Sequence, residues 1–243
     1  MGMRIIGVKD YEELSKRAAE IIAAVVTLKP NCVLGLATGS SPIGLYQALI
    51  QKYQRGELDF SKVQTANLDE YVGLSPENEQ SYRYFMNHNL FSHINIDPAN
   101  THVPDGLNQD AAAETARYEA LVQGLGEMDL QLLGLGLDGH IGFNEPAPVF
   151  PNETQCVQLD PSTIEANKRF FASADDVPRK AYTMGIGTIM RAKRVLLIVN
   201  GAAKAQILKK VLRGPVDPMV PASILQFHRD VTVIADQEAL SAL

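Results

Sequence analysis

The stretch from Leu130 to Pro146 places acid–base side chains directly after a largely apolar run. The run L-Q-L-L-G-L-G-L is typical of a strand that is buried on both faces. Asp138, His140 and Glu145 then follow among glycines. An imidazole close to two carboxylates can divide the work of a general acid and a general base. Because an open α/β sheet carries its chemistry just past the carboxyl ends of strands, this stretch predicts part of an active site.

A dinucleotide-binding loop is one alternative interpretation of the same stretch. Gly134, Gly136 and Gly139 satisfy the pattern G-x-G-x-x-G. That motif requires a helix that begins at the third glycine, so that its N-terminus meets a pyrophosphate. Gly142 and the prolines between residues 146 and 151 oppose such a helix, and the dinucleotide interpretation is therefore weak.

Two further alternatives remain for Asp138 and His140. They could be metal ligands, but no H-x-x-x-H or C-x-x-C pattern supplies further ligands nearby. They could also belong to a solvated turn with no chemical role, which is the better interpretation for a lone histidine. The density of acid–base groups in this stretch favours chemistry over the turn.

Composition and charge argue against several classes of function. The 243 residues are 46% hydrophobic and 21% charged, which is ordinary for a globular protein. The formal net charge is −6, with basic and acidic residues interleaved and no basic stripe that would suit nucleic acid. No segment approaches the ~18 apolar residues of a membrane span, and the N-terminal segment lacks the apolar core of a secretory signal. We therefore expect a soluble cytoplasmic protein that binds neither nucleic acid nor membranes.

Strand-like and helix-like segments alternate along the chain. Cys32–Ala37 and Arg194–Val199 are apolar throughout, whereas Tyr11–Leu28 has apolar residues at helical spacing. Uniformly apolar strands favour a mainly parallel sheet with helices on both faces, that is, a Rossmann-like α/β fold. We expect a single domain over residues 1–243, with a mobile helical segment over Pro161–Pro178 and a short helix over Tyr182–Met190.

Thr38, Gly39, Ser40 and Ser41 join a predicted buried strand to a helix that begins at Pro42. Glycine lets the backbone approach a ligand, the hydroxyls can donate hydrogen bonds, and a helix N-terminus carries partial positive charge. The segment could thus hold a phosphate or a carboxylate, although it lacks the lysine of a Walker loop. An ordinary strand–helix turn with a serine N-cap explains the local sequence equally well.

Three other charged positions are candidates for a site. Asp69 follows the predicted strand Val63–Leu68, where parallel sheets place functional groups, although solvated carboxylates are equally common in loops. Lys204 lies near the start of a predicted helix, where a cation opposes the helix dipole and an anionic ligand would explain it better. Arg169 lies in the predicted mobile segment. Taken singly, either cation is more simply surface charge.

Taken together, these segments resemble the glucosamine-6-phosphate deaminase (isomerase) family, over nearly the whole chain. The segment at 136–146 is the most specific, since the related 6-phosphogluconolactonases share D-G-H but do not continue into F-N-E-P. The matching segments are A-T-G-S-S-P at 37–42, N-L-D-E-Y-V-G-L at 67–74, G-L-D-G-H-I-G-F-N-E-P at 136–146, N-K-R-F-F at 167–171 and P-A-S-I-L-Q at 221–226.

The resemblance implies a hydrolase of amino-sugar catabolism that acts without cofactor or metal. Its reaction converts glucosamine 6-phosphate and water into fructose 6-phosphate and ammonia. It implies that His140, held by Asp138 and Glu145, catalyses opening of the pyranose ring. It implies that Asp69 then moves a proton from C2 to C1 of the open-chain sugar.

The resemblance also implies how the sugar phosphate is held. The phosphate would lie on Thr38–Ser41, with Arg169 and Lys204 supplying positive charge. Binding this remote group would fix the reacting carbons relative to the catalytic carboxylate. Because Arg169 lies in a predicted mobile segment, we expect a lid over about 161–182 that closes on the phosphate.

Two departures from the family pattern concern regulation. Allosteric members carry basic residues shortly after F-N-E-P, whereas Ala147–Leu159 contains no Lys or Arg. Longer members also have a C-terminal tail, whereas this chain stops at Leu243. We therefore expect a monomer without the allosteric N-acetylglucosamine 6-phosphate site, and with hyperbolic kinetics.

Two other functions stay open at this point. One is a sugar-phosphate lactonase or isomerase on the same fold, which ammonia release would distinguish from a deaminase. The other is a catalytically silent sugar-phosphate sensor, which would need only the phosphate contacts. The presence of Asp69 together with Asp138, His140 and Glu145 argues against the sensor.

Overall fold

Strands and helices alternate along the residues that the structure describes, as the sequence predicts. The computed structural model describes residues 3–159 and 177–243. In chain order, its strands and α-helices are β1 (Arg4–Val8), α1 (Tyr11–Leu28), β2 (Val33–Leu36), α2 (Ile43–Gln54), β3 (Gln64–Asn67), β4 (Asp69–Tyr71), α3 (Tyr82–Asn89), β5 (Thr101–His102), α4 (Ala111–Gly124), β6 (Leu130–Leu133), β7 (Gln155–Gln158), β8 (Lys180–Thr183), α5 (Ile186–Met190), β9 (Val195–Val199), α6 (Ala205–Arg213) and β10 (Val231–Asp236).

Seven parallel strands form the central sheet, in the order β1-β10-β9-β6-β2-β3-β5. Every residue of β2, β6 and β9 is buried, so both faces of the sheet are covered. Helix α1 packs against β9 and β10, and α2 packs against α1. These observations confirm the predicted α/β, Rossmann-like fold with a mostly parallel sheet.

The strand order reverses between β2 and β6, which are neighbours in the sheet. From β2 the sheet continues through β3 to β5, whereas from β6 it continues through β9 and β10 towards the opposite edge. Loops that leave the carboxyl ends of two such strands diverge and open a crevice, which is where α/β proteins bind ligands. The two loops here contain residues 37–42 and 134–146, both of which the sequence singles out.

A second sheet of three antiparallel strands, in the order β4-β8-β7, was not predicted. Asp69–Tyr71 forms β4, although the sequence suggested a loop there. Tyr182 and Thr183 lie in β8, so the helix predicted over Tyr182–Met190 is wrong at its start, and α5 begins only at Ile186. Strand β8 exists because it pairs with two distant strands, a contact that local periodicity cannot reveal.

Two short elements complete the description. Residues Thr101–His102 form a strand at the edge of the central sheet. Pro221–Phe227 is a 3₁₀ helix. Most of the predicted mobile segment and lid, 161–182, lies outside the described residues, and the end of that range enters β8 at Lys180. In the described portion of the chain, no helix has the length and apolar character needed to cross a membrane.

The amino ends of three central strands are joined by the buried side chain of Asp129. Its carboxylate lies 2.7 Å from Nζ of Lys29 and 2.8 Å from Nζ of Lys193, and it accepts the backbone N–H of Val33 at 2.9 Å. Lys29 precedes β2, Asp129 precedes β6 and Lys193 precedes β9. These contacts, called here the Asp129 clamp, therefore stabilise the amino ends of the strands, at the end of the sheet opposite the crevice.

Candidate active site

The loop after β6 is irregular from Gly134 to Pro146 and contains no helix. Gly139 has φ +93°, and its carbonyl oxygen accepts the N–H of Ala222 at 2.8 Å, which ties the loop to the 3₁₀ helix at Pro221–Phe227. A pyrophosphate therefore has no helix N-terminus at Gly139. The dinucleotide interpretation of these glycines is wrong.

His140 is held between Gly136 and Asp138. Its Nδ1 lies 2.7 Å from Oδ1 of Asp138, and the same oxygen accepts the backbone N–H of His140 at 3.0 Å. Among the described residues, Nδ1 has no hydrogen-bond partner of good geometry, so the close contact with the carboxylate is an ion pair only when the imidazole is protonated. A methyl group on Gly136 would lie 2.4 Å from the imidazole, so only glycine leaves room for this ring position.

The carboxylate of Asp138 is well suited to support a charged imidazole. Burial alone would raise its pKa, but the neighbouring His140 outweighs that effect, and the pKa of Asp138 is lowered. Glu145 ends the same loop and is half-buried. Among the described residues, no ion pair or hydrogen bond joins Glu145 to His140, so its role in holding the imidazole stays a prediction.

Asp69 and Glu70 are both buried in β4, with side chains on opposite faces of the strand. Burial, together with the charge of Glu70, raises the pKa of Asp69 to about 8. Burial likewise raises the pKa of Glu70 to about 7. A carboxyl that titrates near neutral pH can both remove and return a proton, which is the behaviour an isomerising base requires.

Glu70 positions this strand relative to helix α3. Its carboxylate accepts the backbone N–H groups of Tyr71, Tyr82 and Arg83 at 2.8–2.9 Å. Two of these donors belong to the first turn of α3, where backbone N–H groups have no partner within the helix. The contact fixes β4, and with it Asp69, at the carboxyl edge of the sheet.

Tyr11 of helix α1 holds the loop Thr38–Ser41 through hydrogen bonds to its backbone. The tyrosine hydroxyl donates to the carbonyl oxygens of Ser40 and Ser41, each at 3.1 Å, and accepts the N–H of Gly44 at 2.9 Å. Gly39 is exposed with φ +87°, a backbone conformation that favours glycine.

The N-cap position of helix α2 is occupied by Pro42, and no side chain caps this end. The alternative of a serine N-cap is therefore wrong. The Ser41 hydroxyl instead donates to Oδ1 of Asn200, at 3.2 Å, beyond the end of β9. The loop is thereby joined to the strand that precedes Lys204.

Lys204 lies at the N-cap position of α6, partly buried. Burial lowers its pKa, and the nearby Asp138 carboxylate opposes that change. In residues 3–159 and 177–243, no carboxylate forms an ion pair with this ammonium group. A cation in this position favours an anionic ligand. Arg169, the other predicted cation, lies outside the described residues.

Four consecutive strands of the sheet, β9, β6, β2 and β3, thus present predicted site residues at one edge. Because the strands are parallel, their carboxyl ends meet there. Supporting residues that the sequence did not reveal act through contacts distant in the chain. They are Tyr11, Thr183 and Asn200, whereas Asn144 lies in the loop that the sequence singled out.

The fold and the site together define an α/β enzyme that acts on a small anionic substrate. The loop that carries Asp138 and His140 and the loop Thr38–Ser41 lie side by side where the strand order reverses. A family model described as glucosamine-6-phosphate isomerases/6-phosphogluconolactonase matches residues 9–234. The chain belongs to this family.

Individual relatives are similar over their full lengths. A protein named glucosamine-6-phosphate deaminase from Lachnoclostridium phytofermentans is 60% identical over 232 residues, which cover 96% of this chain and 98% of that one. A protein of the same name from Clostridium perfringens is 54% identical over 241 residues, which cover 99% and 100%. The solved structure of a monomeric glucosamine-6-phosphate deaminase is 47% identical, with a TM-score of 0.96 over 99% of this chain and 100% of that chain.

Proposed function

We propose that this chain converts glucosamine 6-phosphate and water into fructose 6-phosphate and ammonia. The observation that carries the proposal is the meeting of two chemical groups in one crevice. A methyl group placed on Gly142, in the loop of His140, would lie 3.5 Å from Oδ2 of Asp69. The loop that carries His140 therefore lies against the Asp69 carboxylate, which supports the proposal that one sugar reaches both groups. The similarity to proteins named glucosamine-6-phosphate deaminase supports this choice of substrate.

The first step is opening of the pyranose ring at His140. The imidazole removes the proton of the C1 hydroxyl and returns a proton to the ring oxygen, which gives the open-chain aldehyde. The adjacent Asp138 carboxylate, 2.7 Å from Nδ1, stabilises the imidazolium that forms between these transfers. Glu145 completes this group in the proposal.

The second step is isomerisation at Asp69. The ionised carboxylate removes the C2 proton of the open-chain sugar, and O1 takes up the proton that the C2 ammonium group releases, which gives an enolamine. The carboxyl then delivers its proton to C1. C2 becomes an imine, water adds to that carbon, and ammonia leaves to give the ketone of fructose 6-phosphate. A carboxyl with a pKa of about 8 can complete this cycle because it both binds and releases protons near neutral pH.

The phosphate group orients the sugar for both steps. Thr38, Gly39, Ser40 and Ser41 hold its oxygens, while Lys204 and Arg169 balance its charge. This binding takes place at β2 and β9, away from the reacting carbons, so it fixes C1 and C2 relative to Asp69. We also propose that the segment over about 161–182 is a lid that closes on the phosphate.

We also propose that the enzyme is a cytoplasmic monomer. It needs neither cofactor nor metal and has no allosteric N-acetylglucosamine 6-phosphate site. The similar solved structure is of a monomeric glucosamine-6-phosphate deaminase, which supports the monomer. The absence of Lys and Arg in Ala147–Leu159 supports the loss of allosteric control.

The decisive experiment measures ammonia and fructose 6-phosphate from three compounds. Glucosamine 6-phosphate should give both products in equal amounts. N-acetylglucosamine 6-phosphate should give neither because its nitrogen is acylated, and glucosamine should give neither because it lacks the phosphate. Phosphosugar binding without ammonia release would instead favour the sensor or the lactonase.

A further inference from the structure

Thr183 lies between the two parts of the crevice to which we assign chemical steps, the His140 loop and Asp69. It ends strand β8, is fully buried, and is the register partner of Asp69 in the neighbouring strand β4. Because partners across antiparallel strands project to the same face, Thr183 and Asp69 share one face of the small sheet. No feature of the sequence around Thr183 marks it as part of a site.

The hydroxyl of Thr183 holds the loop that carries His140. Its Oγ1 accepts the backbone N–H of Phe143 at 3.0 Å. The next loop residue is bound just after the strand, since Nδ2 of Asn144 donates to the carbonyl oxygen of Met184 at 2.8 Å. The loop is therefore held at two consecutive residues by the end of β8 and the residue that follows it, and the side chain of Thr183 provides the first of these contacts.

Gly142 shows how closely these groups approach one another. A methyl group at Gly142 would lie 2.8 Å from Oγ1 of Thr183 and 3.5 Å from Oδ2 of Asp69. The backbone of the loop thus rests directly on the threonine hydroxyl and beside the catalytic carboxylate. A shift of the loop on β8 would change the distance between His140 and Asp69.

We propose that Thr183 is a positioning residue that sets the placement of the His140 loop relative to Asp69, so that one bound sugar reaches both groups. The inference rests on the proposed roles of His140 and Asp69. The phosphate loop is attached elsewhere, through Tyr11 and Asn200, so Thr183 governs the chemical steps and leaves phosphate binding alone.

The test compares Thr183→Val with Thr183→Ser in the full chain. Valine has the shape of threonine but cannot accept the Phe143 N–H, whereas serine keeps the acceptor. We expect valine to lower kcat for glucosamine 6-phosphate at least about tenfold, since small misplacements of reacting groups have effects of this size. KM and competitive inhibition by inorganic phosphate should change less than about threefold, and serine should restore kcat to within a similar factor of the unchanged chain.

Thr188→Val is the matched control for a merely structural effect. Thr188 is also buried, and its hydroxyl donates to the Glu119 carboxylate, which does not contact the site residues. This variant should lose thermal stability but keep kcat. Equal losses of kcat in the two valine variants, or full activity of Thr183→Val, would overturn the proposal. If the unchanged chain releases no ammonia, the proposed function fails first, so the two failures are distinguishable.

Discussion

Asp69 and Glu70 are neighbouring carboxyls that the fold buries at the carboxyl edge of the sheet. In the unfolded chain an aspartate releases its proton near pH 4, whereas Asp69 in the folded chain holds its proton up to about pH 8. Between these values the folded state binds more protons than the unfolded state. Stability must therefore fall as pH rises through this window, and Asp69 is a group that costs stability in its active, ionised form.

The same titration governs the rate. Under the proposed mechanism Asp69 must be ionised to remove the C2 proton, so kcat/KM should rise with pH, about tenfold per unit, up to an apparent pKa near 8. Asp69→Asn should lower turnover by about 10² to 10⁴ while glucosamine 6-phosphate still binds, as calorimetry can measure.

Thermal unfolding of Asp69→Asn across pH gives an independent check. At pH 6 the variant and the unchanged chain should melt at similar temperatures because Asp69 is then protonated. At pH 9 the variant should melt higher, by about several degrees, since it avoids a buried charge. Glu79→Gln removes an exposed carboxylate as a control and should show no such trend. A melting-temperature difference that is constant from pH 6 to pH 9 would contradict the raised pKa.

The position of the His140 ring can be tested through the glycines of its loop. Gly136→Ala places a methyl group 2.4 Å from the imidazole, so the ring must move. We expect kcat/KM to fall at least about tenfold. Gly134→Ala is the control because nothing lies within 4 Å of its methyl position, and it should keep nearly full activity. Equal activity of the two variants would show that the ring position does not matter.

The sequence identified candidate site residues whose side chains are charged or titratable. Asp138 and His140 contact each other, as the resemblance implied, and the structure adds that Lys204 lies near Asp138. Tyr11 and Thr183 escaped prediction because each acts through one hydroxyl on a loop tens of residues away. A threonine at a strand end and a tyrosine at a helix start have ordinary structural reasons to occur there, so only the fold reveals their contacts.

At the level of elements, prediction succeeded where local physics decides the structure. Helix α1 has the predicted bounds because Asp10 caps its N-terminus and its apolar residues repeat at helical spacing. The uniformly apolar strands β2 and β9 lie in the centre of the sheet. The small sheet escaped prediction because β4 and β8 are short and are stabilised by pairing with each other.

The second sheet explains why Asp69 can be a catalytic group at all. A loop residue after β3 would be solvated and would titrate near its ordinary value. As part of β4, Asp69 is paired with β8 and held by the contacts of Glu70 to α3, so it stays out of water. The short antiparallel sheet thus converts an ordinary aspartate into a proton carrier near neutral pH.

For the whole molecule, the proposal predicts a monomer that follows hyperbolic kinetics. The reason is the lack of basic residues in Ala147–Leu159 that could bind a second sugar phosphate. Light scattering should give a mass near 26.5 kDa at all protein concentrations tested. The rate should follow a simple saturation curve that N-acetylglucosamine 6-phosphate does not steepen or activate. A sigmoidal curve that this compound abolishes would refute the prediction.

The Asp129 clamp lies at the end of the sheet opposite Asp69, His140 and the loop Thr38–Ser41. Heat tolerance and reaction chemistry are therefore governed by different ends of the same strands. Substitutions around Lys29 and Lys193 should therefore change stability and leave Asp69 and His140 undisturbed. Stability added at the Asp129 clamp would offset the stability lost through substitutions near the crevice. The fold could then accept substitutions that change its sugar preference.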